Sequence, residues 1–521
     1  MYHGLLTRKY LTSKVMPLLA ALAVMLCTAT VLVVWSVMGG FLNSLLASGR
    51  TMAGDVMITW PTVGFAHYGD LMKRLEDDRA FVAATSAQIE TFGLVNLPDG
   101  RVEGVQIKGI DPASYARVVD FADGLWWKPI EKALPKDVGE RDERLSPALR
   151  DSLTQDYEQG LAMAEPDAVT GRIRPAAVTG IEMLGLSRRQ PEGYYARGAV
   201  GVPTSDGGIE SKQMFAPRTE VTLRVLPLDR KGRTIDTTAR VFPVANELRT
   251  GVYEIDKKSI LVPLATLQQM LKMDEAIRVG DTPAGSASII RDGERESFAQ
   301  PPSQGVEPAR VTTVLVRAAS GVTPDQLAER CRLVYKGFAE AHRGQVPSYN
   351  DLVFNRLIRT WEDQNATLVG AVKRETAMVL FLLCFISFTV SVLILAIFWS
   401  IVSEKTRDIG ILRAIGASAW GVAWLWLRYG IAIGVIGASA GLGLALAVVL
   451  NINEIHDWLG RALGLVVWDP RVYYFSVIPN QVEVWKAAIV VGGGLGFSML
   501  GAIIPALRAA SLTPVRALRF E

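Results

Sequence analysis

Cysteine and histidine are scarce in this chain, and their spacing does nothing to compensate. Its 521 residues hold three cysteines and four histidines. Cys27, Cys331 and Cys384 lie far apart and form no C-x-x-C, so neither a disulfide framework nor a structural zinc site is expected. His3, His67, His342 and His456 are scattered, with no H-E-x-x-H among them; His67 and His342 read as surface side chains, not catalytic ones. Charge of one sign is also missing. The 55 basic residues against 52 acidic ones leave a net charge of +3, which gives no support for a nucleic-acid binder. No G-x-x-x-x-G-K-[ST] is present, so the chain does not bind ATP through a Walker A loop, and there is no G-x-S-x-G or Ser/His/Asp set for acyl transfer. No enzyme activity, metal or resident cofactor is expected. What the chain has in plenty is apolar residues: 50% are hydrophobic beside 21% charged, with a mean hydropathy of +0.24. Those figures fit apolar residues gathered into blocks, as in a membrane protein carrying a large soluble domain.

Four blocks stand out. No charge falls between Lys14 and Arg50, and Val15–Phe41 is mostly apolar; Glu375 and Glu404 bracket the uncharged run Thr376–Ser403. Arg428 and Glu454 bracket a third run, Lys486 and Arg508 a fourth. Even the shortest is about 31 Å long as a helix, enough to cross the hydrocarbon core. The first block exceeds a signal-peptide h-region and ends in no A-x-A site, so it reads as an uncleaved anchor. Arg8, Lys9 and Lys14 precede span one; Lys405, Arg407, Arg413 and Arg428 sit between spans two and three; Arg508, Arg516 and Arg519 follow span four. By the positive-inside rule both termini and the 404–428 loop are cytoplasmic, with Trp420, Trp424 and Trp426 in an interfacial belt. The expected organisation is a cytoplasmic N-terminus and span one (1–44), a large exported α+β domain (45–372), span two (373–403), a cytoplasmic loop (404–428), span three (429–452), an outer loop (453–485), and span four with a cytoplasmic tail (486–521).

Within the exported domain, Asp55–Trp60 reads as a strand, Tyr68–Asp78 as a helix with Leu71, Met72 and Leu75 on one face, and 82–97 and 102–110 as extended. Near the other end come a strand at Val311–Val316, a helix opened by Thr323 and Pro324 and running to about Ala341, and an extended Val346–Leu352. These two β-α-β ends could form one split α/β layer, around an all-β stretch at 216–262 and a short helix at 263–272. Residues 122–173 carry a dense mixed-charge run broken by prolines, with Trp126–Trp127 as the anchor-like feature. A solvated, partly disordered insertion is expected there, the alternative being a docking arm; the Gly- and Pro-rich 191–215 reads as equally loose.

The loop Ser403–Ser418 is a short amphipathic helix, with Ile411, Leu412 and Ile415 on one side, Glu404, Lys405, Arg407 and Asp408 at its charged start, and Gly416 as its stop. Its spacing alone fits a groove on a soluble partner and a lipid surface equally well. Gly430, Gly434, Gly437 and Gly441 in span three, and Gly492 and Gly496 in span four, recur at three- and four-residue steps that let helices approach closely. Packing within the chain and a dimer seam both fit. The run Gly492–Gly496 lies inside a span with no preceding strand, so it is not a phosphate loop.

The run Glu404-Lys405-x-Arg407-Asp408-Ile409-Gly410-Ile411-Leu412-Arg413-Ala414-Ile415-Gly416-Ala417-Ser418 resembles the signature loop of the FtsX-like ABC permease superfamily. Ser36-Val37-Met38-Gly39-Gly40-Phe41 resembles the end of span one in lipoprotein-releasing permeases of the LolC/LolE type, with Gly39 where that pattern usually has Asn. Similar likenesses run through Val105–Pro112, Thr179–Glu182, Thr250–Asp256, Val472–Tyr474 with Ile478–Pro479, and the tail from Pro505 to Glu521; the two insertions depart from the pattern.

The resemblance implies a permease of the mechanotransmission kind in the bacterial inner membrane, working as a dimer with a second copy or a paralogue. It implies two cytoplasmic ATPase subunits that bind the ATP, with 404–415 as the coupling helix seated on them. A lipoprotein or other membrane-derived substrate would be lifted from the membrane and handed to a periplasmic carrier. The alternatives are a permease of a toxin, peptide or macrolide efflux system, and a regulator of cell-wall hydrolases.

Overall fold

The computed structural model describes residues 15–132, 141–167, 169–190, 194–204, 208–228, 234, 236–279, 303–347, 357–464, 468 and 477–513. The chain divides into two units, one gathered from Met1–Leu45, Ala366–Asp469 and Val477–Glu521, the other from Leu46–Asn365 and Pro470–Ser476.

Among the described residues the first unit holds four helices long and apolar enough to cross a membrane: α1 (Val15–Ala53), α8 (Ala366–Glu404), α10 (Ala419–Leu450) and α12 (Val484–Ser511). Two shorter helices join them, α9 (Thr406–Ala414) and α11 (Ile452–Leu463). Small residues set the packing. A Cβ on Gly430 would come within 2.5 Å of the Ala502 Cβ, so α10 and α12 meet almost backbone to backbone. Ser498 Oγ donates to the Gly430 carbonyl at 3.0 Å, and Ser391 Oγ on α8 to the Phe497 carbonyl at 2.9 Å. Each hydroxyl finds its acceptor on a neighbouring helix, where no water competes.

The second unit opens with β1 (Val56–Thr59), α2 (Tyr68–Glu76), β2 (Val82–Asn96), β3 (Val102–Ile110) and α3 (Pro112–Val118). It closes with β11 (Thr313–Ala318), α7 (Pro324–Ala341) and β12 (Ile358–Thr360). β11 pairs antiparallel between β1 and β2, and β1 antiparallel between β11 and β12, so two split β-α-β units interlock in one sheet. α7 begins where its sequence says: the Thr323 hydroxyl accepts from Gln326 N, the Gln326 side chain accepts from Thr323 N, and Pro324 follows. Its Leu327, Cys331, Tyr335 and Phe338 form the buried stripe. Among the described residues the sheet's last strand is 358–360; most of the expected extended Val346–Leu352 falls outside the described residues.

Between these ends lie α4 (Arg150–Ala162), β4 (Ala177–Gly180), β5 (Ser187–Arg189), β6 (Tyr195–Pro203), β7 (Ile209–Met214), β8 (Glu220–Val225), β9 (Thr238–Leu248), α5 (Tyr253–Lys258), β10 (Ser259–Pro263) and α6 (Leu264–Leu271). The sheet continues from β2 through β3, β10, β4, β9 and β8, and β8 pairs back onto Leu94–Asn96 of β2. Six strands thus close a ring, filled by Val95, Ile107, Leu223, Phe242, Val244 and Val262. Closure passes over Gly93, where a Cβ would stand 2.5 Å from the Arg224 carbonyl oxygen; a side chain there would hold the ring open.

The expected loose insertions are corrected. Trp127 is fully buried, and Trp126 nearly so, in a satellite core with Leu153, Ile181, Tyr194 and Tyr195. Arg144, itself buried, pairs with buried Asp142 at 3.0 Å and stacks 3.4 Å above the Trp126 ring. α4 buries Leu153 and Gly160, and β5, β6 and β7 form a three-stranded sheet. Charge density misled because it counts Asp142 and Arg144 as solvated, whereas they neutralise each other against an aromatic face. Residues 133–140, 191–193 and 205–207 lie outside the described residues.

Candidate functional site

α8 stops at Glu404 because Lys405 leaves the helical region, with φ −98° and ψ 13°. α9 then runs to Ala414 and ends in a tight left-handed turn. Ala417 N donates to the Leu412 carbonyl at 3.0 Å and Gly416 N to the Arg413 carbonyl at 3.2 Å, the two bonds of a Schellman cap. Gly416 sits at φ +104°, a conformation L side chains rarely adopt, which gives the predicted stop its physical reason. Ser418 caps α10 by accepting from Gly421 N at 3.0 Å.

The two sides of α9 are unlike. Ile409 and Gly410 are buried, and Ile409 packs in the cluster that includes Ile401, Val402, Val422 and Trp426. Facing away are Arg407, Ile411, Ala414 and Ile415, with Ile411 44% and Ile415 79% exposed. Lys405 Nζ pairs with Asp408 Oδ2 at 3.0 Å, closing the charged start of the helix. Glu404 and Gly416 are exposed; Leu412 is half-buried, so the apolar side read from sequence divides. Ile409, absent from that reading, is the root of the helix. It sits two residues from Ile411 on a helix whose spacing alone does not say which side faces the protein.

The glycines divide too. Gly430 and Gly434 face α12, Gly434 meeting Ser498, while Gly437 and Gly441 face α1 at Val24 and Thr28. Gly492 and Gly496 meet nothing within 4 Å; on α12 it is Gly494, against Thr28, and Gly501, against Ser391 and Ile394, that are close-packed. Between α1, α8 and α12 lies an apolar cavity of about 250 Å³, lined among others by Cys27, Thr28, Cys384 and Ser387.

In the second unit, the His67 and His342 rings stack at 4.3 Å, and His342 Nε2 bonds to Asp70 Oδ2 at 3.0 Å. His342 ends α7 and His67 precedes α2, so the pair ties two helix termini together. Among the described residues no group of three or more His, Cys, Asp or Glu side chains is placed to hold a metal.

Among the described residues, then, four helices long and apolar enough to cross a membrane stand with a loop helix that is rooted in their core through Ile409 and exposes its other face. Comparison with known proteins sharpens this. Residues 380–514 match the family model "FtsX-like permease C-terminal". Along nearly its whole length the chain is similar to the lipoprotein-releasing system transmembrane protein LolC of Neisseria meningitidis serogroup B, 21% identical over 490 residues, or 94% of this chain and 90% of that one. The lipoprotein-releasing system transmembrane protein LolE of Haemophilus influenzae is 28% identical over 129 residues, 25% of this chain and 30% of that one. The uncharacterized ABC transporter permease YknZ of Bacillus subtilis is 30% identical over 124 residues, 23% of this chain and 25% of that one. The resemblance to FtsX-like permeases, and among them to the LolC/LolE type, therefore holds.

Proposed function

We propose that this chain is the membrane subunit of an ATP-driven machine that lifts lipoproteins out of the bacterial inner membrane and passes them to a periplasmic carrier. The observation that carries the reading is the reach of the likeness to LolC, 94% of this chain, inserted domain included. A likeness confined to the spans would fit a permease of any cargo.

In this reading both termini and α9 are cytoplasmic, the second unit is periplasmic, and the permease pairs with a second copy or a paralogue. The ATP is bound by a separate ATPase dimer, and this chain holds no cofactor. α9 is the seat of that ATPase. Ile411 and Ile415 enter its groove, Glu404, Lys405, Arg407 and Asp408 set the orientation, and Leu412 and Gly416 hold the helix in shape. Ile409 then carries the push into the spans, because a helix rooted in the core cannot be displaced without moving α8 and α10 with it. α8 follows directly on the inserted domain in sequence, so the same displacement reaches the substrate side.

The test is reconstitution with the ATPase in liposomes carrying a lipoprotein. Ile415→Asp should abolish co-purification of the ATPase and ATP-driven release together, while Glu404→Lys should keep the complex and lose release. Release of a non-lipoprotein cargo instead would replace the substrate assignment. Retention of the ATPase by Ile415→Asp would place α9 on lipid.

A further inference from the structure

α11 is a twelve-residue helix that buries none of its side chains, directly after a membrane span. Its sequence, INEIHDWLGRAL, separates completely around the axis. At 100° per residue Ile452, Ile455, Trp458, Leu459, Ala462 and Leu463 fall in one arc of about 140°. Asn453, Glu454, His456, Asp457, Gly460 and Arg461 fill the opposite side. Within the apolar arc Ile455 is 37% exposed, and Trp458 and Leu463 are each 61% exposed.

The orientation of the helix is fixed through its polar side. The Asn453 Oδ1 accepts from Ile478 N at 3.0 Å, and His456 Nε2 accepts from Trp468 N at 3.1 Å. Both bonds go to the segment that returns the chain to α12, and Trp468 in turn meets the Phe41 ring of α1 edge-on at 6.2 Å. Loop backbone therefore meets the Asn453–His456 edge of the polar side, leaving Glu454, Asp457 and Arg461 exposed and the apolar side facing away from the loop. α10 ends at Leu450, Asn451 leaves the helical region at φ −113°, and its side chain closes the span by donating to the Ala447 carbonyl at 2.8 Å. The next residue starts α11. A helix joined to a span by one residue starts at the depth where that span leaves the hydrocarbon, and Leu450, the last residue of α10, is itself 62% exposed.

We propose that α11 lies in the bilayer interface, its Ile452–Ile455–Trp458–Leu459–Leu463 face in the lipid at headgroup level and its Glu454–Asp457–Arg461 face in water. The partner is bilayer lipid, of the outer leaflet in the orientation proposed above. The polar face carries two carboxylates and one guanidinium, so apolar burial and not attraction to anionic lipid drives the contact, and salt should not release it. Such a helix moves with α10, so that displacement of the span disturbs the lipid surface beside it.

The test uses the full chain in phospholipid nanodiscs, with Cys27, Cys331 and Cys384 replaced by serine or alanine and one nitroxide label at a time along 454–462. Labels at 455, 458, 459 and 462 should collide with oxygen and be shielded from a water-soluble nickel chelate, at a depth of roughly 5–10 Å. Labels at 454, 457 and 461 should show the reverse, and the pattern should persist in high salt. Chelate access at every position would overturn the proposal. So would shielding from both reagents at 455 and 458, which would mean that protein covers the face. A label that lowers thermal stability is replaced by its neighbour on the same face, 459 for 458, which carries the same reading.

Discussion

Glu247→Gln should make the domain between the first and second membrane helices less sensitive to alkali. Glu247 lies on β9, fully buried; its Oε2 accepts from the Trp127 indole at 2.7 Å and from the Ser187 hydroxyl, and its Oε1 is buried with no hydrogen-bond partner among the described residues. Burial pushes its pKa from 4.5 up to about 8, against the opposing effect of those two donors. The sign follows from proton counting. The folded state holds the proton more tightly, so this carboxyl contributes stability in full below pH 4.5 and loses it as pH rises through the window to about 8. The whole shift corresponds to about 5 kcal/mol, and about 1 kcal/mol of it falls between pH 7 and pH 9. Asp156 and Asp256, pushed up by burial to about 6, have largely finished titrating by pH 7 and leave that interval to Glu247. Glutamine keeps an acceptor for Trp127 and Ser187 and carries no charge to desolvate. Hydrogen exchange of the β9 amides in the full-length chain, corrected for intrinsic rate, reads the opening free energy at each pH. The wild-type value should fall by about 1 kcal/mol more than that of Glu247→Gln between pH 7 and 9. Equal slopes in the two proteins would refute the buried-carboxyl argument.

Two further outcomes are expected. A reporter active only outside the cytoplasm should work when fused near residue 200 or 460 and fail after 410; activity at 410 would reverse the proposed orientation. Deleting 141–166 should destabilise the inserted domain, because it removes Arg144 from the Trp126 ring and α4 from Asn246, whose side chain donates to the Asp156 carbonyl at 3.0 Å; protease resistance equal to the intact chain would show the satellite core to be dispensable.

The spans were legible because hydrocarbon imposes one rule on every residue, and charge-free runs report it directly. α7 was legible because its capping box and proline act locally, within four residues. The satellite core was not. Trp127 is held by Glu247 and Asn246, some 120 positions later, and no local pattern pairs a tryptophan with a carboxyl it will meet only in the fold. The interfacial helix escaped for a different reason. Its charges, Glu454, Asp457 and Arg461, made 453–485 read as a polar loop, although their regular spacing opposite Ile455 and Trp458 is the signature of an amphipathic helix. The loop helix lay between these cases: its stop at Gly416 was readable, but its start was not, since Glu404 ends α8 and the helix begins at Thr406, nor was which of Ile409, Ile411 and Ile415 faced the core.

Gly39, the departure from the related pattern at the end of span one, has a partner in the fold. A Cβ at this position would lie 2.7 Å from Lys486 Nζ. That ammonium is only 13% exposed, pairs with Glu483 at 2.6 Å, and lies near the faces of Trp35 and Trp485. A side chain here would have to move the flexible end of a lysine more than four hundred residues away, and an asparagine would compete for the space the ammonium fills. Gly39→Asn should destabilise the membrane unit modestly, by about 1 kcal/mol or less, because the flexible end of Lys486 can move aside at the cost of its pairing with Glu483. Lys486→Ala alone should also cost stability, because it removes the ion pair of Glu483 and leaves it the Trp485 and Asn43 donors. The double variant should be more stable than the sum of the two losses predicts, since with the lysine gone the asparagine has room and can bond to Glu483. Thermal unfolding of the four proteins in detergent, treated as a double-mutant cycle, measures the coupling. Additive losses would mean that Gly39 answers to something other than Lys486.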